Sequence, residues 1–284
     1  MTFRQYIELM KLRIGVVIAL TAVIGYLAVA SEVNAVHMVL LALSMLLGSS
    51  SSSVFNHFYD RDIDRRMMRT SKRPLANDLG GRGWGVLFFA ASLLVVGLVL
   101  AMGVFNGIVA LHLFLGAFFY GIVYTVWLKR KSWVNIIIGG AAGSFAVLAG
   151  AAAVDPSIWL LPTLLAVVLF LWTPTHFWSL AILLKEDYAK AGIPMLPVLV
   201  GEKRTAQAIL INSVLLALSA MVPWAMGELG PLYGALAALG GAGLLAGNLA
   251  LIKDPGRIWA RRNFFISMIY LMLLFLAVVL DKHL

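Results

Sequence analysis

Three oxygen-bearing side chains recur at four-residue intervals in Asn56-His57-Phe58-Tyr59-Asp60-Arg61-Asp62-Ile63-Asp64. On a continuous helix each step of four turns the side chain by only about 40°, so Asn56, Asp60 and Asp64 make one polar stripe about 12 Å long. Such a stripe suits Mg²⁺, which takes oxygen ligands, keeps several waters and reaches protein through a few carboxylates plus substrate phosphates. Asp62 falls off the stripe and reads as an ion-pair partner for nearby arginines. The chain then adds Arg65, Arg66, Arg69, Lys72 and Arg73 before Pro74. Metal-binding carboxylates beside clustered cations make a site for a multiply charged anion, most simply a diphosphate. The plainer alternative is a solvated rim at a helix end. Against it, four of the 13 acidic residues (Asp60, Asp62, Asp64 and Asp78) fall on this one stretch.

Two further groups carry chemistry-bearing types. Tyr124-Thr125-Val126-Trp127-Leu128-Lys129-Arg130-Lys131 ends an apolar run. It reads either as an interfacial aromatic belt with anchoring cations, or as Lys129 and Arg130 touching the same anion with Tyr124 deeper on the wall. The segment 172–197 holds His176 after Pro174, then Glu186, Asp187, Pro194 and Pro197. Pro174 should kink or strain its helix. If the helix runs on, His176 and Asp187 lie three turns apart on one face. His176 is a bundle hydrogen-bonder, a ligand or pocket wall for a haem-like acceptor, or a proton carrier. Asp187, with Glu186 beside it, is a second Mg²⁺ anchor or a solvated rim. His57 lines an acceptor pocket or hydrogen-bonds at a helix end, and His112 is a lesser candidate inside its span.

The elements that must position these residues are membrane helices. Hydrophobic residues make up 62% of the chain and charged residues 12%, with a mean hydropathy of +0.94. That is far beyond the roughly 45–50% apolar content of a soluble domain. In lipid each backbone polar group needs an internal partner, which helices supply. Apolar stretches near 12–30, 36–57, 84–103, 106–127, 133–153, 157–181, 206–227, 230–252 and 263–281 predict nine spans in one domain, 1–284. The first is no cleavable signal peptide, since it is long and lacks a small-x-small site. With nine spans, 21 of the 22 Lys and Arg fall on one side and only Lys282 on the other. By the positive-inside rule the N-terminus and the long polar loops face the cytoplasm, while the C-terminus faces out. The net charge of +9 is thereby a topology device and not a sign of nucleic-acid binding. Cysteine is absent, which excludes disulfides and thiolate chemistry. The serine run 49–53 and the stretch 139–143 read as close helix contacts through small side chains, or for the serines as the polar lining of a cavity.

At these residues the sequence resembles the UbiA-type intramembrane prenyltransferases, and within them the branch that farnesylates haem b. The runs NHFYDRDIDRRMMRTSKRPL (56–75), YTVWLKR (124–130), WTPTHFWSLAI (172–182) and DYAKAGIPMLPVLVG (187–201) carry the likeness, which extends along the whole chain. The resemblance implies an all-α fold of nine helices around a central cavity that opens to lipid. It implies Mg²⁺ as cofactor on Asn56, Asp60, Asp64 and Asp187, with Lys129 as a fifth catalytic residue. His57, Arg69, Lys72, Arg73, Tyr124, Arg130, His176 and Glu186 are the implied substrate-binding residues. The family's second aspartate motif is half present: Asp187 matches, position 191 is Ala, and Glu186 or another coordination takes up the difference. The implied substrates are farnesyl diphosphate and haem b, with haem O as product. The implied setting is the plasma (inner) membrane and its lipids, with the active site toward the cytoplasmic face. Haem A synthase and terminal-oxidase assembly factors are the implied protein partners. Two rivals remain: an intramembrane prenyltransferase with an aromatic-acid acceptor, and a transporter. A transporter would place its ionisable groups near the mid-membrane at broken helices.

Overall fold

The computed structural model describes residues 2–76 and 83–284; Asp78 and Arg82 of the polar loop lie outside them. The described chain is all-α. A short helix α1 (Phe3–Leu9), held by a Thr2–Gln5 capping box, leads into α2 (Leu12–Leu27). Then follow α3 (Ala35–Tyr59), α4 (Arg61–Asp64), α5 (Gly83–Val104) and α6 (Gly107–Phe118), the last continuing as a π-helix over Phe119–Leu128. The remaining helices are α7 (Asn135–Gly139), α8 (Ala141–Ala152), α9 (Leu160–Leu183), α10 (Lys185–Lys190), α11 (Leu196–Ala225), α12 (Pro231–Lys253) and α13 (Arg257–His283).

Among the described residues, eight helical stretches are long and apolar enough to cross a membrane: α3, α5, α6 with its π-helix, α7 with α8, α9, α11, α12 and α13. The expected first span forms α2, an apolar helix of 16 residues. The protein is therefore a polytopic α-helical membrane protein.

Helices α2, α3, α5, α6 and α8 pack as one group and α9, α11, α12 and α13 as another, joined where α8 meets α9 and α13 meets α2. Two glycines let α2 and α8 cross at backbone distance. A methyl group on Gly25 would overlap the Val147 carbonyl, and one on Gly150 the Ala22 carbonyl. The far end of the chain is tied in as well: Asp281 accepts from the Gly230 and Tyr233 amides, and His283 Nε2 lies 2.9 Å from the Leu27 carbonyl.

Four local expectations change. The stripe 56–64 is not one continuous helix: Asp60 (φ −89°, ψ 4°) separates α3 from α4, although the amide of Asp64 still reaches the Asp60 carbonyl at 2.8 Å. The fourth span ends as a π-helix, with the Lys129 amide bonded to the Tyr124 carbonyl at 2.8 Å. The sixth span ends at Leu183, so His176 and Asp187 share no continuous helical face. Within it Pro174 supplies no N–H, and Asn212 from α11 donates to the nearby Leu171 carbonyl at 2.6 Å. The expected loop 182–205 is mostly helical: α10 covers Lys185–Lys190, Pro197 sits in the first turn of α11, and Gly201 (φ 80°) absorbs a kink at a backbone angle that favours glycine.

The α2–α8 crossing yields a direct test. Gly150→Leu should destabilise the protein by about 3 kcal/mol, the upper range for overpacking, seen as a lower thermal midpoint in detergent. A midpoint equal to wild type would show that the crossing is not tightly packed.

Candidate active site

The fold places α3, the π-helix, the α1–α2 junction and the loop after α4 around one buried cluster. Asn56, Asp60 and Asp64 are 2%, 0% and 2% exposed, so none is part of a solvated rim. The Asn56 amide donates to Asp60 Oδ2 at 2.7 Å and to Thr125 Oγ1 at 3.1 Å. Asp60 pairs with Lys129, whose Nζ makes a very short contact to Oδ2, and more distantly with Arg130 at 3.5 Å. Asp64 accepts two bonds from Arg73 Nη1 at 3.0 and 2.8 Å. Asp62, half-exposed, is held bidentately by Arg130 at 2.8 and 2.7 Å, the role expected of it. Partial burial raises the Asp62 pKa, but the Arg130 hydrogen bonds and charge override it and leave the carboxyl below its ordinary value. Burial likewise lowers the Arg130 pKa, and its bonds to Asp62 return it above the usual value.

The π-helix sets this geometry. Its wider turn pairs residues five apart, as Thr125 Oγ1 shows by donating to the Tyr120 carbonyl at 2.8 Å; short π segments recur at functional sites. Thr125 and Lys129, four apart, thereby meet Asn56 and Asp60, also four apart. Tyr124 stacks on Tyr120 at 5.6 Å and lies under Lys129 Nζ at 5.9 Å, and Gly139 leaves room for its ring.

Lys11 belongs to the cluster too, although its place beside Arg13 at the start of an apolar run reads only as a topology anchor. Its Nζ donates to Asn56 Oδ1 at 2.8 Å and reaches the Tyr120 hydroxyl at 3.5 Å. Among the described residues it is the one non-glycine at positive φ (49°), and strained backbone of this kind gathers at functional sites. Burial, then the charges of Arg73 and Lys129, pushes its pKa well down against the opposing pull of Asp64 and Asp60. Tyr120 and Thr125 are the other members that spacing did not reveal.

The remaining candidates spread out. Asp187 is buried at 9% and accepts weakly from the Met68 and Arg69 amides at 3.4 and 3.5 Å, which ties α10 to the basic loop. Glu186, Arg69 and Lys72 are exposed. His57 is 2% exposed, and neither ring nitrogen has a partner. His176 sits on the α13 side of α9, stacked between Trp172 (4.4 Å) and Phe264 (4.2 Å), with Nδ1 at 3.0 Å from Ser267 Oγ.

The donor chemistry of Asn56, Asp60, Asp64 and Asp187 fits Mg²⁺: hard oxygens, three of them anionic, in a buried setting. Among the described residues no three acidic or histidine side chains converge on one point; lysine, arginine and backbone amides hold the carboxylates. A cavity adjoins the cluster, lined by Tyr120 and by Ser49, Ser52 and Ser53 of the serine run. Ser51 instead donates across to the Ala90 carbonyl of α5 at 2.7 Å, so the run serves both packing and cavity.

Buried acid–base pairs beside an apolar cavity, inside a membrane bundle of this order, point to an intramembrane transferase class: residues 16–269 match the UbiA prenyltransferase family, and the chain belongs to it. The structure is similar to a solved digeranylgeranylglyceryl phosphate synthase (TM-score 0.81, 21% identity, 98% of each chain). It is also similar to a UbiA homologue from Archaeoglobus fulgidus bound to DMAPP and Mg²⁺ (TM-score 0.73, 19% identity, 97% of this chain and 99% of the other). In sequence it is 61% identical over 283 residues, all of both chains, to protoheme IX farnesyltransferase 1 of Paramagnetospirillum magneticum. To protoheme IX farnesyltransferase 2 of the same organism it is 49% identical, over 95% of this chain and 94% of that one.

Removing one partner of the Asp60–Lys129 pair strands the other charge in a buried site. Asp60→Asn and Lys129→Met should each cost about 3 kcal/mol, and the double variant clearly less than their sum. Unfolding of the three variants in detergent checks this; strict additivity would show that the two groups do not depend on each other.

Proposed function

We propose that this chain transfers the farnesyl group of farnesyl diphosphate to a vinyl group of haem b, with hydration, to give haem O. The observation that carries the reading is the buried cluster of carboxylates and cations at the mouth of an apolar cavity. The choice of haem b as acceptor follows the full-length likeness to a protein named as a protoheme IX farnesyltransferase.

The charge pattern suggests an exchange of partners. Lys129 and Arg73 now neutralise Asp60 and Asp64. Asn56, Asp60, Asp64 and Asp187 would hold Mg²⁺, and those cations would then be free to turn to the phosphate oxygens, joined by Lys11, Arg130, Arg69 and Lys72. The metal supplies Lewis-acid neutralisation of charge on the diphosphate. Lys11, Arg73 and Lys129 hold the departing oxygens by charge-assisted hydrogen bonds in a poorly hydrated site, where such bonds are strong. The allylic C1–O bond breaks with its electron pair leaving on diphosphate. The haem vinyl π electrons then form the new C–C bond at C1. Water adds to the resulting cation and loses a proton, leaving the hydroxyethylfarnesyl group.

Tyr124 walls the reacting end. His57, unpaired and buried beside Asn56, His176 and Glu186 serve the acceptor side. We read the chain as a single domain of nine spans, with α2 as the short ninth, whose 16 residues cover about 24 Å. The distribution of basic residues favours a plasma-membrane protein with its N-terminus and site on the cytoplasmic face and its C-terminus outside. Membrane lipids surround it. Haem A synthase and terminal-oxidase assembly factors are the partners this product would call for.

Purified protein in detergent, given haem b, farnesyl diphosphate and Mg²⁺, should yield a farnesylated, hydrated haem by mass spectrometry. The product should vanish without Mg²⁺ and fall at least 100-fold in Asp60→Ala, within the range for loss of a transition-state charge contact. Unchanged haem from folded wild-type protein would overturn the acceptor, and full activity in Asp60→Ala would overturn the metal site.

A further inference from the structure

Asn56 has a single side-chain oxygen, and Lys11 holds it. Lys11 Nζ donates to Asn56 Oδ1 at 2.8 Å, while the Asn56 amide nitrogen is committed to Asp60 Oδ2 at 2.7 Å and Thr125 Oγ1 at 3.1 Å. The amide cannot turn over: a flip would set its N–H groups against the Lys11 ammonium and its oxygen against the Asp60 carboxylate. The other two members of the stripe are held in the same way, Asp60 by Lys129 and Asp64 by Arg73. Each of the three thus has its own cation, brought from a different part of the chain. At the stripe three cations face two carboxylates, since Asp62 and Arg130 largely cancel each other. A divalent ion arriving by itself meets that excess of positive charge in a buried site, where it is poorly screened. Lys11 is the cation that moves at least cost, because its partner is neutral. Its Nζ has a second stop at the Tyr120 hydroxyl, 3.5 Å away on the cavity wall. It also springs from the joint between α1 and α2, at φ 49° and ψ 49°, and not from the body of a helix.

We propose that Lys11 competes with the divalent ion for Asn56 Oδ1, so that the metal site opens only once a diphosphate has drawn the lysine away. The proposal rests on the reading of the stripe as a metal and diphosphate site, and adds what makes the two ligands depend on each other. A metal ion on Oδ1 would bring two cations onto one oxygen, and their repulsion outweighs one hydrogen bond to a neutral amide. A diphosphate resolves the conflict, because it carries enough negative charge to hold the lysine and the metal at once. The lysine then trades a neutral acceptor for an anionic one, which makes the stronger bond. A ligand shifts such an equilibrium only through its different affinities for the two arrangements. Here the diphosphate favours the released lysine and the metal favours the released oxygen, so each promotes the binding of the other by the same factor. Lys11 thereby keeps the site closed to metal alone and commits it to metal that arrives with a donor.

The test measures the two affinities separately and without haem, on purified protein in detergent: Mn²⁺ alone, by the loss of its free electron-spin signal, and farnesyl diphosphate in EDTA, by calorimetry. Lys11→Met and Lys11→Gly both remove the ammonium, and glycine also accepts φ 49° without strain, which guards against a folding defect. Each variant should bind Mn²⁺ at least about tenfold more tightly than wild type and farnesyl diphosphate at least about tenfold more weakly, the scale of one charged hydrogen bond. Arg13→Met removes an exposed cation two residues away and should leave both affinities within about twofold, since exposed charge is screened. Opposite shifts are the signature: a brace that merely holds the fold would weaken both affinities, and a simple phosphate contact would weaken only the second. Unchanged or weaker Mn²⁺ binding in both Lys11 variants would overturn the competition, as would an equal shift in Arg13→Met. Mn²⁺ that fails to bind wild type even with farnesyl diphosphate present would overturn the metal site and the competition with it. Opposite shifts in a protein that leaves haem unfarnesylated would overturn the acceptor alone and leave the competition standing.

Discussion

Charge buried without water is the constraint from which the rest of this molecule follows. Asp60 and Asp64 sit at 0% and 2% exposure, where an unpaired carboxylate is prohibitively costly. Their counter-charges come from distant parts of the chain: Arg73 from the loop after α4, Lys129 from the end of the π-helix, and Lys11 through Asn56 from the α1–α2 junction. Ion pairs of this kind add little net stability over apolar packing, yet they penalise the loss of any one partner. They therefore act on register: α2, α3 and the π-helix cannot slide past one another without stranding a charge.

The π-helix answers that constraint in backbone terms. Helices α3 and α6 run in the same direction on either side of the cavity, so matched four-residue spacings can pair in parallel, and Asn56–Thr125 and Asp60–Lys129 do. The five-residue turn keeps Tyr120, bonded through its carbonyl to Thr125, on the same wall, where its hydroxyl meets Lys11. An α-helical turn would have rotated Lys129 by a further residue relative to Tyr124. Here a locally poorer hydrogen-bond geometry is offset by the charge it places.

What could be read from the chain divides along physical lines. The Asn56–Asp60–Asp64 stripe was legible because a spacing of four survives even where the helix bends at Asp60. Arg73, Lys129 and Arg130 were legible because they crowd next to that stripe or end an apolar run. Lys11 was not, since a single cation flanking a span has the same local signature whether it anchors topology or reaches across 45 residues to Asn56. The environment of His176 was equally hidden: its partners Phe264 and Ser267 lie about 90 residues further on in α13. Hydropathy found the eight long spans but not the helical start of α11, because a proline-led turn at the end of a polar loop looks like more loop.

The same low dielectric that enforces pairing in the absence of substrate suits the site to a diphosphate. Cations held against carboxylates are pre-positioned and stripped of water, so an incoming anion meets donors already in place and does not have to dehydrate them. A neutral hydrocarbon tail needs the opposite surroundings, and the adjoining cavity supplies them with small side chains from Gly48 to Ser53. Serines suit that wall because their hydroxyls can return to their own helix, as Ser52 does to the Gly48 and Ser49 carbonyls. The Ser52 hydroxyl is then satisfied internally, and the lining offered to a ligand is mostly apolar. One stretch of α3 thus presents charge at its end and a narrow-shouldered surface of small side chains one turn further in, and the boundary between them falls at Asn56.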